Sequence, residues 1–159
     1  MPYRIGIGHD IHKLVEERDL WLGGIKIPFE KGLLGHSDAD ALIHAIMDAM
    51  LGALALGDIG EHFPDNDLSY KNIRSTELLK IVNRIIDDKG YSISNIDCVI
   101  HCERPKILPY KDSIREILSE ILMLDKNRIS VKAGTNEGMD SVGAALAISC
   151  DAVVLLCKK

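Results

Sequence analysis

Asp10 and His12 stand two residues apart in Gly8-His9-Asp10-Ile11-His12, which closes a short apolar run. On a strand, side chains at that spacing leave the same face. A second polar group, Gly35-His36-Ser37-Asp38-Ala39-Asp40-Ala41-Leu42-Ile43-His44, leads into a helical pattern, so His44 can approach the pair from the first turns of that helix. One carboxylate and two imidazoles form a three-ligand set suited to zinc and, less well, to manganese or iron. Three protein ligands leave a fourth tetrahedral position for substrate or water. The pattern favours a catalytic metal over a structural one.

The element that must deliver His44 runs from Ala39 to about Leu56, apolar nearly all round, with Gly57 as its stop. A helix of that kind is buried. Its polar residues Asp40, His44 and Asp48 recur every fourth position and form one stripe. Polar groups on a buried helix need partners, which a metal and its supporting groups would supply. Asp48, one turn beyond His44, is expected to accept the second ring N–H of His44 and fix its tautomer. Ser37 or Asp38 reads as the helix N-cap. His36 and Ser37, just before the helix start, read as a phosphate-contact site.

The other elements follow from local pattern. Arg4 to His12 reads as a strand, and Leu20-Trp21-Leu22 and Ile25-Lys26-Ile27 flank Gly23-Gly24 as a hairpin. Residues 30–38 read as a loop, as does the stretch from Asp58 to Asp67. Ser75 is expected to cap a helix to about Lys89. A strand from Ile96 to Cys102, a helix near 110–123 and strands near 128–134 and 145–157 complete the chain. Few strands with amphipathic helices predict an α+β fold, a two-layer sandwich with helices on one face of a small sheet. The strands lack a clean polar alternation, so the other face must be covered too, by self-association.

Composition narrows the class of protein. A chain of 159 residues forms one domain, 1–159, with a real core. With one Trp, two Phe and four Tyr, that core is aliphatic. A net charge of −5 argues against general binding to nucleic acid or an anionic membrane surface. Neither a signal peptide nor a membrane-spanning run is expected. Cys98, Cys102, Cys150 and Cys157 form no Cys-x-x-Cys pair and lie in apolar, strand-like segments, which suggests a reduced, cytoplasmic protein.

Further groups could meet a ligand. Asp58, Gly60 and Asp65 sit in a loop long enough to cover one, although ordinary turns use the same residues. Pro105-Lys106 offers a cation on a rigid link. Lys132-Ala133-Gly134-Thr135-Asn136-Glu137-Gly138 ends a strand in small and hydroxyl residues, where backbone N–H groups can approach a phosphate; a simple turn fits equally. Thr135 and Glu137 are its members that could contact phosphate and a second cation. The residues alone lead to a metal-dependent enzyme acting on a phosphorylated small molecule.

Ordered motifs along nearly the whole chain go further: Gly8-His9-Asp10-Ile11-His12, the run from Ile27 to Asp38, Ala55-Leu56-Gly57-Asp58-Ile59-Gly60, Phe63-Pro64-Asp65, Pro105-Lys106-Ile107-Leu108-Pro109 and Lys132-Ala133. The chain resembles the 2-C-methyl-D-erythritol 2,4-cyclodiphosphate synthase family, zinc enzymes of the non-mevalonate isoprenoid pathway, in their single-function form. The resemblance implies a homotrimer with the sheets facing its centre and each active site between subunits. It implies conversion of 4-diphosphocytidyl-2-C-methyl-D-erythritol 2-phosphate to the cyclic diphosphate with release of CMP. Asp10, His12 and His44 match its zinc ligands, and Glu137 matches the ligand of a second divalent ion, magnesium or manganese. His36 and Thr135 match the pair that stabilises the transition state. Ser37, Asp58, Ile59, Gly60, Phe63 and Asp65 match substrate contacts, alongside Asp10, His12 and His36. Cys102, Pro105, Lys106, Ile107 and Leu108, with Ala133, Gly134, Thr135, Asn136 and Glu137, match the cytidine and phosphate pocket. Ala144 stands where many bacterial members have an arginine reaching the central trimer cavity, and Gly134 stands where they have a hydroxyl residue.

Overall fold

The computed structural model describes residues 2–159. Strand β1 (Tyr3–Glu16) is longer than the apolar run predicts. Its even-numbered residues from Gly6 to Leu14 turn toward the helices, while Tyr3, Ile5, Ile7 and Ile11 turn away into the open. A tight hairpin, β2 (Leu20–Leu22) and β3 (Ile25–Ile27), forms where expected. Gly23 and Gly24 make its turn with φ of +63° and +84°, the left-handed pair that such a turn needs. The expected loop 30–38 instead holds a short strand, β4 (Lys31–Leu33), antiparallel to the end of β1. Three residues with a central glycine have no periodicity to read.

Helix α1 spans Ala41–Ala53, shorter at both ends than expected. Its N-cap is Asp40 rather than Ser37 or Asp38: the Asp40 carboxylate accepts from the Ile43 N–H and also from the N–H groups of Gly23 and Gly24 at 2.9 and 2.7 Å. The carboxylate thereby ties the hairpin turn to the helix start, which satisfies the first residue of the polar stripe without a metal. A short helix, α2 (Ile59–His62), capped by Asp58, lies in the second expected loop. Helix α3 covers Ser75–Asp88, and Ser75 is its first residue, not a side-chain cap. Asp38 takes that part from a distant loop, accepting the Ser75 N–H at 2.9 Å.

β5 (Tyr91–His101), α4 (Lys111–Leu122) and β6 (Ile129–Gly134) form a parallel crossover unit. A four-residue helix, α5 (Asp140–Gly143), precedes β7 (Ala147–Lys158). The resulting five-stranded sheet has the order β4-β1-β7-β5-β6, with β5–β6 its parallel pair.

Helix α1 rests directly on β1. A Cβ added to Gly6 or Gly8 would fall 1.8 Å from the Ala49 carbonyl oxygen or 1.9 Å from that of Ala45, distances only hydrogen-sized groups tolerate. The core between the sheet and the helices is aliphatic, with Leu42, Ile43, Ile46, Met47, Met50 and Leu51 of α1 at its centre. The helices cover one face, as predicted. On the other, Ile5 and Ile7 are 70% and 75% exposed, beside Ile11 and Val153.

Candidate metal centre

The two-residue spacing on β1 and the close seat of α1 bring three ligating groups to one point. Asp10 Oδ2 lies 2.8 Å from His12 Nε2 and 3.0 Å from His44 Nδ1, and the two nitrogens are 3.3 Å apart. Among the described residues this is the group of three ligating side chains whose atoms could share one ion. His44 is buried, and Asp10 and His12 are partly buried.

The protonation logic of this cluster calls for a cation. His12 Nδ1 lies 2.7 Å from the Leu34 carbonyl oxygen, which only accepts, so that nitrogen carries the hydrogen. In a neutral ring Nε2 then turns a lone pair toward the Asp10 carboxylate. Either a proton or a metal must sit between them. Burial works against a charge on His12, yet the hydrogen bond to Asp10 and its negative charge outweigh it, and the His12 pKa rises above its ordinary 6.5. Burial would likewise push Asp10 up, but the hydrogen bonds of His12 and His44, with their charges, take it well below the usual carboxylate value. The residues fit a zinc ion: three donors converge, and the distal nitrogen of each ring is held by an oxygen.

For His44 that oxygen is not Asp48. Its Nε2 lies 3.0 Å from Ser75 Oγ and 3.2 Å from Ser37 Oγ. Asp48 turns instead to accept the Ile59 N–H at 2.8 Å, which fastens α2 to α1. Burial, chiefly, raises the Asp48 pKa. A four-residue spacing places two side chains on one face, but the second ring nitrogen is turned to the start of α3 and the loop before α1.

A cavity of about 270 Å³ opens over the cluster. Asp10, His12 and His44 share its wall with His36, Ser37, Ile59, Gly60, Phe63 and Asp65, all expected, and with Leu34, Gly35, Tyr70 and Leu78, which the sequence did not single out. His36 Nε2 donates to the Asp67 carbonyl at 3.0 Å, several residues ahead of the α1 start, so no helix N-terminus backs it. Asp58 lies outside this wall, its carboxylate accepting the Glu61 N–H.

The remaining expected residues gather elsewhere. Cys102, Lys106, Ile107, Leu108, Ala133, Gly134 and Thr135 line a second cavity of about 210 Å³, together with Glu103 and Lys111. It lies at the ends of β5 and β6, where the Cys102 N–H bonds the Gly134 carbonyl at 2.9 Å. Three strand-to-strand steps separate β6 from β1, roughly 14 Å across the sheet. Within one chain His36 and Thr135 line separate cavities. Pro105, Asn136 and Glu137 stand beside this second cavity without lining it; Asn136 N–H bonds Glu103, and the Glu137 N–H reaches Thr135 Oγ1 at 3.3 Å. A larger hollow, about 840 Å³, is an open groove along α4 and β6 lined by Asp97, Lys111, Asp112, Arg115 and Lys132. No helix among the described residues is long and apolar enough to cross a membrane.

Comparison with known proteins agrees with this geometry. A curated Clostridium perfringens protein named 2-C-methyl-D-erythritol 2,4-cyclodiphosphate synthase is 54% identical over 155 residues, covering 98% of this chain and 99% of its own. The bifunctional IspDF from Campylobacter jejuni superposes with a TM-score of 0.95 at 38% identity, over 99% of this chain and 42% of that one. A Plasmodium falciparum IspF in complex with CDP gives a TM-score of 0.87 at 39% identity, over 99% of this chain and 97% of that one. The YgbB family model matches residues 3–157. Matched in sequence from end to end, in fold by solved relatives, and folded to converge its ligating triad, the chain belongs to the YgbB family.

Proposed function

We propose that this chain converts 4-diphosphocytidyl-2-C-methyl-D-erythritol 2-phosphate into 2-C-methyl-D-erythritol 2,4-cyclodiphosphate and CMP, as a cytoplasmic enzyme of the non-mevalonate isoprenoid pathway. The observation that carries the reading is the Asp10–His12–His44 cluster opening into a cavity whose wall holds the polar groups His36 and Ser37. An oxygen of the 2-phosphate attacks the β-phosphorus, and the bond from that phosphorus to the α-phosphate oxygen breaks as CMP leaves. Both reacting groups already belong to one molecule, so what remains for the protein is to hold them in line. The protein's task is mainly that of a mould.

Zinc held by Asp10, His12 and His44 would supply Lewis acidity to a diphosphate oxygen. Ser37 contributes a donor on the same wall, where His36 also stands. Ser37 Oγ already accepts the Ala39 N–H at 3.2 Å, which leaves its own hydroxyl hydrogen for an anion in the cavity. Lys106 and the strand end from Ala133 to Thr135 suit the cytidine diphosphate portion, and the CDP in the Plasmodium relative supports a ligand of that class. Glu137 would offer a carboxylate to magnesium or manganese, with substrate phosphates and water completing the shell.

In this reading the two cavities serve one substrate when supplied by different copies. Ile5, Ile7, Ile11 and Val153 form an exposed apolar sheet face of the kind that self-association covers. A homotrimer with its sheets inward and its active sites between neighbours joins the metal cluster of one chain to Thr135 of the next. The test is ³¹P NMR of the metal-loaded protein with the substrate. Equal formation of CMP and a cyclic diphosphate is expected; inorganic phosphate or a linear product would refute the cyclase reading.

A further inference from the structure

The ring of His44 is held by a buried relay that the ligand set alone does not reveal. Ser75 is fully buried and Asp38 is 6% exposed, although both are polar. Ser75 Oγ lies 3.0 Å from His44 Nε2 and donates its own hydrogen to Asp38 Oδ1 at 2.5 Å. Asp38 is itself gripped by donors: the Ser75 N–H at 2.9 Å, the Asp40 N–H at 3.1 Å and Arg74 Nε at 3.3 Å. The Arg74 guanidinium is pinned in turn, stacked 3.5 Å over the Trp21 ring and bonded to the Gly24 carbonyl.

Proton accounting gives this chain a direction. A carboxylate with so many donors accepts on both oxygens, so the Ser75 hydroxyl hydrogen is committed to it. Ser75 then presents only lone pairs to His44, and Nε2 must carry the hydrogen. Nδ1 is left with its lone pair aimed at Asp10 and His12. Ser37 cannot fix this tautomer, because its hydroxyl hydrogen is free to turn either way.

We infer that Ser75 and Asp38 are positioning residues for the metal centre, setting the tautomer and orientation of His44 through a carboxylate–hydroxyl–imidazole chain. This assigns to Ser75 and Asp38 the part that spacing along α1 assigns to Asp48. The inference rests on the zinc reading above. Groups that hold the distal nitrogen of a ligating imidazole typically change metal affinity roughly 10–100-fold.

The test is zinc binding by chelator competition, using zinc alone and no substrate. Ser75→Ala keeps the backbone N–H that Asp38 accepts, so the start of α3 stays anchored; it should weaken zinc binding roughly 10–100-fold. Asp48→Ala should leave zinc affinity unchanged while lowering stability. Wild-type affinity in a folded Ser75→Ala protein would overturn the relay alone, whereas failure of the unaltered protein to bind zinc would overturn the metal reading beneath it. Should Ser75→Ala not fold, the unaltered zinc-loaded protein decides by ¹⁵N-edited NMR. The relay predicts a His44 Nε2 proton protected from solvent exchange; rapid exchange, or a metal on Nε2, contradicts it.

Discussion

Single residues in this molecule owe their chemistry to what surrounds them. Asp10 and Asp48 are both partly buried aspartates, and their pKa values move in opposite directions. Burial raises both, but two imidazoles reverse the outcome at Asp10 while a single N–H at Asp48 does not. The cysteines show the same control by environment. Burial, aided by the charges of Asp97 and Glu103, pushes the Cys98 and Cys102 thiols up to about 12, and burial takes Cys150 well above its ordinary value. The thiolate is the reactive form, and a raised pKa leaves almost none of it at neutral pH. Alkylation of the native protein at pH 8, read by peptide mass spectrometry, should therefore spare Cys98, Cys102 and Cys150, and all three should label once the chain is unfolded. Rapid native labelling of Cys98 would show that its strand is not packed as described.

At the scale of elements, the site depends on how closely α1 approaches β1. Gly8→Ala places a methyl group against the Ala45 carbonyl, so helix and strand must separate in the turn that carries His44. Overpacking of this kind costs about 1–3 kcal/mol, which urea unfolding would measure. Zinc affinity should fall with it, because His44 moves off Asp10 and His12; unchanged affinity would mean that this contact does not set the ligand geometry. Much of this arrangement is legible in the sequence. The period of a strand puts Asp10 and His12 together, the unbroken apolar pattern marks α1 as buried, and Gly23-Gly24 announces the hairpin. Other features leave no local trace. β4 owes its existence to the end of β1, and Asp38 caps a helix whose first residue lies 37 positions away. The polar stripe on α1 reads as one unit, yet its members serve three different partners. Asp40 holds the hairpin turn, His44 faces the ligand cluster and Asp48 fastens α2. Spacing fixes a face and leaves the partner to tertiary structure.

For the whole molecule the question is how many copies make one site. The metal cluster and the Thr135 cavity lie at different places on the same sheet, and the sheet face that the helices leave open exposes Ile5, Ile7, Ile11 and Val153 around the ion cluster of His9, Asp151 and His101. If sites form between neighbours, inactive chains should rescue one another. His44→Ala and Thr135→Ala proteins, unfolded together in equal amounts and refolded, should regain roughly a quarter of wild-type turnover, since each shared site draws its two halves independently. No recovery from a refolded mixture whose subunits have exchanged would place the whole site within one chain. Removal of metal by a chelator should abolish turnover and lower the unfolding temperature, because an ion bound only to the folded state stabilises it. An unaltered unfolding temperature would separate the cluster from any bound ion.

Asp10, His12 and His44 should together hold a metal with one position open. Diffraction at the zinc absorption edge from zinc-loaded crystals tests it most directly. One anomalous peak per chain is expected, about 2.0–2.2 Å from Asp10 Oδ2, His12 Nε2 and His44 Nδ1, with no fourth protein donor. A peak closed by a fourth side chain, or none at this cluster, would contradict it.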